Sequence, residues 1–427
     1  MRTLILDTIH GGLVIAAYLE ELGHTADTVD VYRNGGSISL FDAENGITCA
    51  AYDQLIYPVH LRMDHPLLQA AQKHNIPAKT HHEAVAKILS EWERDGTFVR
   101  PRHMVEITGA RGKTTTAHAL ASCLSLSGPG LLHSSAGIYS YPGGEKIGQF
   151  SITPASVLTV ARKYVEYGTI WMICEESLGV SGYHNCAILT SDEDYSCGAE
   201  TRSALDIKKT SLKTSPCALI PGKEKLYAIP QGIPVGSIVQ VDGKLAKYHY
   251  GAWEGTCTNP LFFLSQYRTS LTLAIAASIL LGVEPQGINS FQPVSGRLFL
   301  ARQNERVILD DANSGTTHIT AIEAARYLRN TTHISDIILC IGQDAHSVCE
   351  NLTAPSIIEA INAIKPLYTI LISSGLSEPE QKEINTYLDR SHYLYQNAPS
   401  LDAAQKMLRE SSLPPEIPAL LAVKTWR

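Results

Sequence analysis

The segment from residue 105 to residue 116 places the strongest constraint on what this chain can fold into. It reads Val-Glu-Ile-Thr-Gly-Ala-Arg-Gly-Lys-Thr-Thr-Thr, which is typical of a buried strand, a glycine loop and the start of a helix. Gly109 and Gly112 allow the backbone to approach a polyphosphate, and the first amides of the helix point at the anion. Lys113 adds a positive charge, and the Thr114 hydroxyl can ligate Mg²⁺. The segment therefore predicts a binding loop for the phosphates of ATP.

Composition places the chain among globular proteins that act on small molecules. Its 427 residues, of which 44% are hydrophobic and 18% charged, suggest two or three domains. A net charge of -7 argues against general binders of nucleic acid or anionic membranes, because those partners need a dense basic face. The cysteines form no Cys-x-x-Cys pair, and no apolar run approaches the roughly 20 residues that span a bilayer. We expect a cytoplasmic protein without a nucleic-acid, membrane or obligate protein partner.

The spacing of apolar residues predicts an α/β chain in three parts, namely 1–102, 103–295 and 296–427. The first and third parts are Rossmann-like units, and the second is a mostly parallel sheet that begins with the phosphate-loop strand. The other predicted strands are 3–7, 28–32, 55–57, 170–174, 186–190, 217–220, 306–310, 336–341 and 367–373. The predicted helices are 13–22, 66–74, 81–93, 269–281, 318–329, 354–363 and 378–389.

The form Thr-Gly-x-x-Gly-Lys-Thr-Thr, with Ile107 in place of the first glycine of the common phosphate-loop pattern, resembles the Mur ligase family. The resemblance extends from about residue 103 to about residue 345. It implies a three-domain Mur ligase-like architecture and an ATP-dependent ligase, in which a substrate carboxylate becomes an acyl phosphate that a second nucleophile then attacks. Arg111 replaces the usual Asn and could add a cation beside the γ-phosphate. The residues expected to contact the nucleotide in this loop are Thr108, Gly109, Ala110, Arg111, Gly112, Lys113, Thr114 and Thr115.

The same resemblance implies a magnesium ligand at Glu175, because the family carries a Glu after the next strand. A carboxylate at that strand end is also where a cation bridging phosphates needs an oxygen ligand. We expect Glu176, its neighbour, to be solvated. Ser191 stands for a family Asn, and the family His that follows is missing. Either Asp192 or Asp194 could replace it as a ligand, or the segment is a plain acidic turn.

The family also has a lysine, often carbamylated, that serves as an anionic metal ligand. The spacing to Leu212 favours Lys209 over Lys208 for this role, although two solvated lysines on a helix surface are the alternative.

The resemblance also implies that four residues later in the sequence contact ATP. Ser270 stands where relatives place an Asn against the nucleotide, although it could equally be a helix N-cap. Arg297 follows Gly296 at the family's interdomain hinge and could bind phosphate with two hydrogen bonds. Asp310 keeps the place of a family Asp, whereas Asn313 replaces a His. The implied mechanism is gated by a hinge near residue 295.

The first domain is expected to bind the substrate. Its segment Asp-Thr-Ile-His-Gly-Gly lacks a dinucleotide-type glycine loop and, with the two motifs above, is similar to a Mur-like branch found in methanogens. That similarity implies a nickel tetrapyrrole carboxylic acid as substrate, whose propionate is activated to close a carbocyclic ring. His10, Gly11 and Gly12 are the candidate contacts, with a turn-capping histidine as the alternative.

Two other functions remain open from the sequence. One is a Mur-type amide ligase that joins an amino acid to a nucleotide-peptide or a folate-like carboxylate. The other is a non-catalytic module in which ATP binding switches conformation for metallocofactor delivery.

Overall fold

The computed structural model describes residues 1–32, 35–198, 200–222, 229–303, 305–344 and 351–425. They form two compact units, Met1–Phe291 and Gln292–Arg427. The fold is α/β with three largely parallel sheets, two in the first unit and one in the second. The division into three domains stays a prediction.

Residues up to 102 form a four-stranded parallel sheet of order β2-β1-β3-β4. Its elements are β1 (Arg2–Ile5), α1 (Gly12–Glu21), β2 (Thr25–Thr28), α2 (Leu40–Thr48), β3 (Gln54–Tyr57), α3 (Pro66–Lys73), β4 (Ala78–Thr80) and α4 (His81–Asp95). The central strands β1 and β3 are mostly buried because helices cover both faces of the sheet. The predicted second strand lies too late in the chain, and α2 and β4 were not predicted.

Residues 103–291 form an eight-stranded sheet of order β14-β13-β10-β5-β9-β6-β7-β8, in which only the β6–β7 and β7–β8 pairs are antiparallel. Its first elements are β5 (His103–Thr108), α5 (Lys113–Leu124), β6 (Gly130–Ser134), β7 (Gly137–Tyr141), β8 (Glu145–Gly148), α6 (Ser156–Tyr167), β9 (Trp171–Glu175) and β10 (Cys186–Leu189). After them come β11 (Ser196–Cys197) and β12 (Arg202–Ser203), which form an antiparallel pair outside this sheet, and then α7 (Ala204–Leu212), β13 (Ala218–Ile220) and β14 (Gly232–Pro234).

A second, smaller sheet in this region was not predicted. It is antiparallel and consists of β15 (Val239–Asp242), β16 (Leu245–Tyr250) and β17 (Trp253–Thr258). The predicted buried helix is confirmed as α8 (Ser265–Leu280), although it begins four residues earlier than expected. It packs against α5 and so supports the helix that follows the phosphate loop.

The second unit contains a six-stranded sheet of order β18-β19-β23-β20-β21-β22, in which only the β18–β19 pair is antiparallel. Its elements are β18 (Phe299–Gln303), β19 (Arg306–Asp310), α9 (His318–Thr332), β20 (Ile338–Gln343), α10 (Ala354–Ile364), β21 (Tyr368–Ile372), α11 (Glu378–Arg390), β22 (Tyr395–Ala398), α12 (Leu401–Glu410) and β23 (Ala419–Lys424). Every strand and helix predicted here is present within a few residues. Among the described residues, no helix has both the length and the apolar run that crossing a bilayer requires.

Candidate active site

The phosphate-loop segment forms the strand, loop and helix that its sequence predicts. The loop lies between β5 and α5, and Gly112 takes a left-handed φ of 79° at the helix start. Gly109 has a φ of 151°, and a Cβ there would lie 2.1 Å from Oγ1 of Thr190. No side chain fits at Gly109, so the backbone can approach a polyphosphate at this position.

The residues that follow β10 hold this loop in shape. Oγ of Ser191 accepts hydrogen bonds from the amides of Ala110 (2.9 Å) and Arg111 (3.2 Å). The Thr190 hydroxyl donates to the carbonyl oxygen of Arg111. Ser191, which departs from the family pattern, therefore accepts hydrogen bonds from two loop amides, a role that no motif in the sequence indicates.

Oxygen atoms from the first turn of α5 and from the ends of β6 and β9 meet beside the loop. The Thr114 hydroxyl donates to Oε2 of Glu175 (2.8 Å), and the same carboxylate oxygen accepts the amide of Ser135 (3.0 Å). The hydroxyls of Thr114 and Ser135 are 2.9 Å apart. Hard oxygen donors of this kind suit Mg²⁺, so the residues present fit the expected ion. Ser135 was missed because it follows β6 without any recognisable motif.

Two cations belong to the loop. Nζ of Lys113 donates to the carbonyl oxygen of Gly109 (2.9 Å) and lies 3.9 Å from Oε1 of Glu175. The Arg111 guanidinium pairs with Glu193 at 2.6 Å and is one-third exposed. Lys113 is thus held against the loop beside Glu175, whereas Arg111 is paired with Glu193.

Three other residues predicted to contact the nucleotide, Thr108, Thr115 and Ser270, are held by contacts within the protein or are buried. Oγ1 of Thr108 accepts the amide of Gly179 (3.1 Å), and Thr115 is buried in α5. Ser270 lies inside α8, so the N-cap alternative is wrong. Its hydroxyl is 3.4 Å from the carbonyl oxygen of Gly112, which places it next to the phosphate loop.

Glu176 is fully buried, so the expectation that it is solvated was wrong. Burial, followed by the charge of Glu106, raises the pKa of the Glu176 carboxyl well above its ordinary value. Burial also opposes ionisation of Glu106, but the charge and hydrogen bond of His184 and the hydrogen bond of Ser181 outweigh it and lower the pKa of Glu106 to about 2. Of the two carboxyls, Glu106 therefore carries a negative charge more readily, and the fold favours the protonated form of Glu176.

We predict that Glu176→Gln stabilises the first unit at neutral pH. In the unfolded chain Glu176 ionises above its ordinary pKa of 4.5, while the folded state keeps it protonated. Stability is therefore lost as pH rises above 4.5, and the glutamine variant avoids this loss. Each kcal/mol gained should raise the melting temperature by roughly 2–4 °C. Thermal melts at neutral pH and at pH 4 check this, because the gain should disappear at the lower pH. A melting temperature lowered at neutral pH would contradict a neutral Glu176.

The structure separates the two candidate lysines. Lys208 is buried, with Nζ 3.3 Å from the Tyr195 hydroxyl, whereas Lys209 is partly exposed and pairs with Asp206 at 3.4 Å. The buried residues of α7 include Ala204, Lys208 and Leu212, which recur every four residues, so helical spacing could have identified Lys208. The metal role of Lys209 stays a prediction, and its placement does not support it.

The acidic turn after β10 is partly structural. Asp194 accepts the amide of Leu205 (2.9 Å) and the hydroxyl of Ser203 (2.7 Å) at the start of α7. Among the described residues, no three His, Cys, Asp or Glu side chains are grouped to hold a metal ion. Asp192 and Asp194 thus form no carboxylate cluster with Glu175, and their ligand role is unsupported.

The last predicted nucleotide residues lie in the second unit. Nδ2 of Asn313 donates to the carbonyl oxygen of Gly296 (2.8 Å), and its Oδ1 accepts the amide of Gly315 (2.8 Å). Asn313 therefore holds the turn after β19 to the segment that carries Arg297. Asp310 is largely buried and accepts the amide of Ala312 (3.1 Å). Their contacts with a nucleotide stay predictions.

The predicted substrate residues form a loop around a buried carboxylate. Asp7 accepts the amides of His10 (2.8 Å) and Gly12 (2.8 Å). Burial raises the pKa of Asp7, but these amides and the His10 ring outweigh that effect and lower it to about 2. A Cβ on Gly12 would lie 2.2 Å from the carbonyl oxygen of Asp7, and one on Gly11 would lie 2.6 Å from Cβ of Ala155. Close packing within the protein thus explains both glycines.

Comparisons with known proteins agree on a family. The model of the coenzyme F430 synthetase CfbE C-terminal domain matches residues 300–425. The chain is 31% identical to coenzyme F(430) synthetase from Methanosarcina acetivorans, covering 83% of this chain and 85% of that protein. It is 23% identical to the coenzyme F(430) synthetase of Methanocaldococcus jannaschii, covering 90% and 93%. Among solved structures, MurF ligase from Thermotoga maritima in complex with ADP matches with a TM-score of 0.52 at 13% identity, covering 93% of this chain and 91% of that one.

The fold and the phosphate-loop site define an ATP-dependent ligase of the Mur ligase type, as the sequence predicted. Within that class, the 31% identity to the Methanosarcina protein over most of both chains shows to which family this chain belongs. The chain belongs to the coenzyme F(430) synthetase family.

Proposed function

We propose that this enzyme uses ATP and Mg²⁺ to activate a propionate carboxylate of a nickel tetrapyrrole acid and closes a carbocyclic ring on it, which yields coenzyme F430. Family membership supports the substrate. The observation that carries the ATP chemistry is the contact of the Thr114 hydroxyl with Glu175 beside the loop amides and Lys113.

The proposed reaction has two steps, and all atoms are accounted for in each of them. A carboxylate oxygen of the substrate attacks the γ-phosphorus of ATP, which gives an acyl phosphate and ADP. A nucleophilic carbon of the same substrate then attacks the acyl carbon, phosphate leaves and the carbon loses a proton. The product is therefore lighter than the precursor acid by one water.

The residues of the loop position and neutralise charge in this scheme. The amides of α5 and the ammonium of Lys113 face the transferring phosphoryl group, and such chemistry depends mainly on positioning and electrostatic stabilisation. Thr114 and Glu175 would hold Mg²⁺, with Ser135 beside them, and the ion would supply positive charge to the phosphate oxygens. Ser191 and Thr190 keep the loop in the shape that this requires.

The proposed function predicts turnover with the tetrapyrrole acid alone. Incubating the enzyme with the nickel precursor acid, ATP and Mg²⁺, without any amine, should form ADP and a product lighter by one water. Mass spectrometry and chromatography of ADP check both. Incorporation of ammonia or an amino acid would favour the amide ligase instead. Binding of the acid without ADP formation would favour the ATP-switch module.

A further inference from the structure

Aromatic rings from three loops meet at the carboxyl edge of the four-stranded sheet. His10 follows β1, Tyr32 follows β2 and His60 follows β3. The ring centroids of His10 and His60 are 4.3 Å apart, and those of His10 and Tyr32 are 5.1 Å apart. Tyr32 stacks on His60 at 5.6 Å. We call these three residues the ring cluster.

The ring cluster lies where an open α/β sheet favours a ligand. Along the chain, β1 is followed by β2 on one side and then by β3 on its other side, so the strand order reverses between β1 and β3. Ligands bind outside the carboxyl ends of strands at such a reversal. His10 and His60 come from the two strands that flank it.

The edge of the sheet that carries the ring cluster also carries exposed apolar side chains. Apart from Met1 and Val99, all the exposed large apolar side chains among the described residues up to 102 follow the carboxyl ends of β1, β2 or β3. They are Ile9, Leu13, Tyr32, Leu40, Phe41 and Met63. Exposed apolar surface concentrated on one edge marks a binding site more often than scattered side chains do. Exposed apolar surface of this kind suits contact with the face of a large flat ligand.

His10 has the arrangement of a metal-binding histidine. Its Nδ1 lies 3.0 Å from Oδ1 of the buried Asp7 and donates to that carboxylate, which leaves Nε2 as the acceptor nitrogen. The His10 side chain is 38% exposed. A carboxylate that holds the other ring nitrogen fixes the orientation and tautomer of a histidine that ligates a metal.

The ring cluster belongs to the same compact unit as the phosphate loop. The Gly11 backbone packs against Ala155, which directly precedes α6 of the eight-stranded sheet. Nε2 of His82, at the start of α4, lies 3.8 Å from the carboxyl of Glu176, the residue after Glu175. A substrate on the ring cluster is therefore held by the body that carries the ATP site.

We propose that Nε2 of His10 is an axial ligand of the substrate's nickel, an inference that rests on the proposed function. In this arrangement Asp7 orients the His10 ring, and Tyr32 and His60 flank the macrocycle. A tetrapyrrole supplies the equatorial nitrogens itself, so one protein nitrogen is enough. This agrees with the described residues, which contain no group of three His, Cys, Asp or Glu able to hold a bare ion.

The test measures how wild type and His10→Phe bind two forms of one macrocycle in the absence of ATP. The two forms are the nickel precursor acid and its metal-free counterpart. Phenylalanine keeps an aromatic ring but has no nitrogen to ligate nickel. We expect wild type to bind the nickel form with a changed absorption spectrum and a higher nickel coordination number by X-ray absorption. His10→Phe should lose both changes and bind the nickel form roughly tenfold more weakly, with unchanged affinity for the metal-free form. His249→Phe, at an exposed histidine on β16, should match wild type.

Two results would overturn the proposal and leave the proposed function intact. One is a His10→Phe variant that still shows the raised coordination number. The other is an equal loss of affinity for the nickel and metal-free forms, which a purely turn-forming histidine would cause. Failure of wild type to bind or cyclise the nickel acid would instead refute the proposed function, and the ligand assignment with it.

Discussion

Lys113→Ala should abolish ADP formation, lowering kcat by roughly a thousandfold, which is the upper end of what loss of one electrostatic group costs. The ammonium of Lys113 lies within 3.9 Å of Glu175 and bonds the loop carbonyl of Gly109, so it sits where phosphate charge has to be offset. ADP formation measured by chromatography with the nickel acid checks the effect.

The fold of the Lys113 variants has to survive for this result to be interpreted. Lys113→Met keeps most of the aliphatic stem and should lose activity to the same extent, while both variants retain the wild-type circular dichroism spectrum. Lys406→Ala, at a mostly exposed lysine of α12, should keep full activity. If either Lys113 variant retained more than about a tenth of wild-type turnover, the phosphate-loop assignment would be wrong.

The sequence predicted the candidate site best where one residue both shapes the local backbone and belongs to a recognisable functional motif. The phosphate loop needs a glycine at 109 because Thr190 leaves no room for a side chain, and the same glycine is what makes the loop recognisable. Helices and strands with strong apolar spacing, such as those of the second unit, were also predicted correctly, because local periodicity determines which face is buried.

Residues whose roles depend on distant partners could not be predicted in this way. Glu176 looks solvated in the sequence, yet the fold buries it beside Glu106, which lies seventy residues earlier on β5. Ser135 follows β6 and Ser191 follows β10, which come close to the loop only when the sheet places them on either side of β5 and β9. No spacing along the chain therefore connects these serines to the loop. The ring cluster likewise requires knowledge of the strand order before His10 and His60 can be associated.

Lys208 is a different case, because a local signal existed. It lies four residues after Ala204 and four before Leu212, on the buried face of α7. A lysine is usually assigned to the solvent side of a helix, and this expectation outweighed the helical spacing. A buried lysine beside Tyr195 and a partly exposed one paired with Asp206 have different environments, which only the structure distinguishes.

Glu175→Gln should slow turnover by roughly a hundredfold and raise the Mg²⁺ concentration needed for half-maximal rate, whereas Glu176→Gln should change neither by more than about threefold. The two carboxyls are adjacent in sequence but face different partners. Glu175 contacts the Thr114 hydroxyl and the amide of Ser135 beside the phosphate loop, and its charge is what a hard cation needs.

Glu176 is a matched control for that experiment, because burial favours the protonated form of its carboxyl, and a glutamine amide is neutral and has nearly the same shape. Titrating Mg²⁺ at saturating ATP for wild type and both variants separates the two residues. A loss of Mg²⁺ dependence confined to Glu175→Gln assigns the ion to Glu175. Equal losses in both variants would mean that the buried pair of Glu106 and Glu176, and not Glu175 alone, controls the charge at the end of β9, and the magnesium assignment would then be wrong.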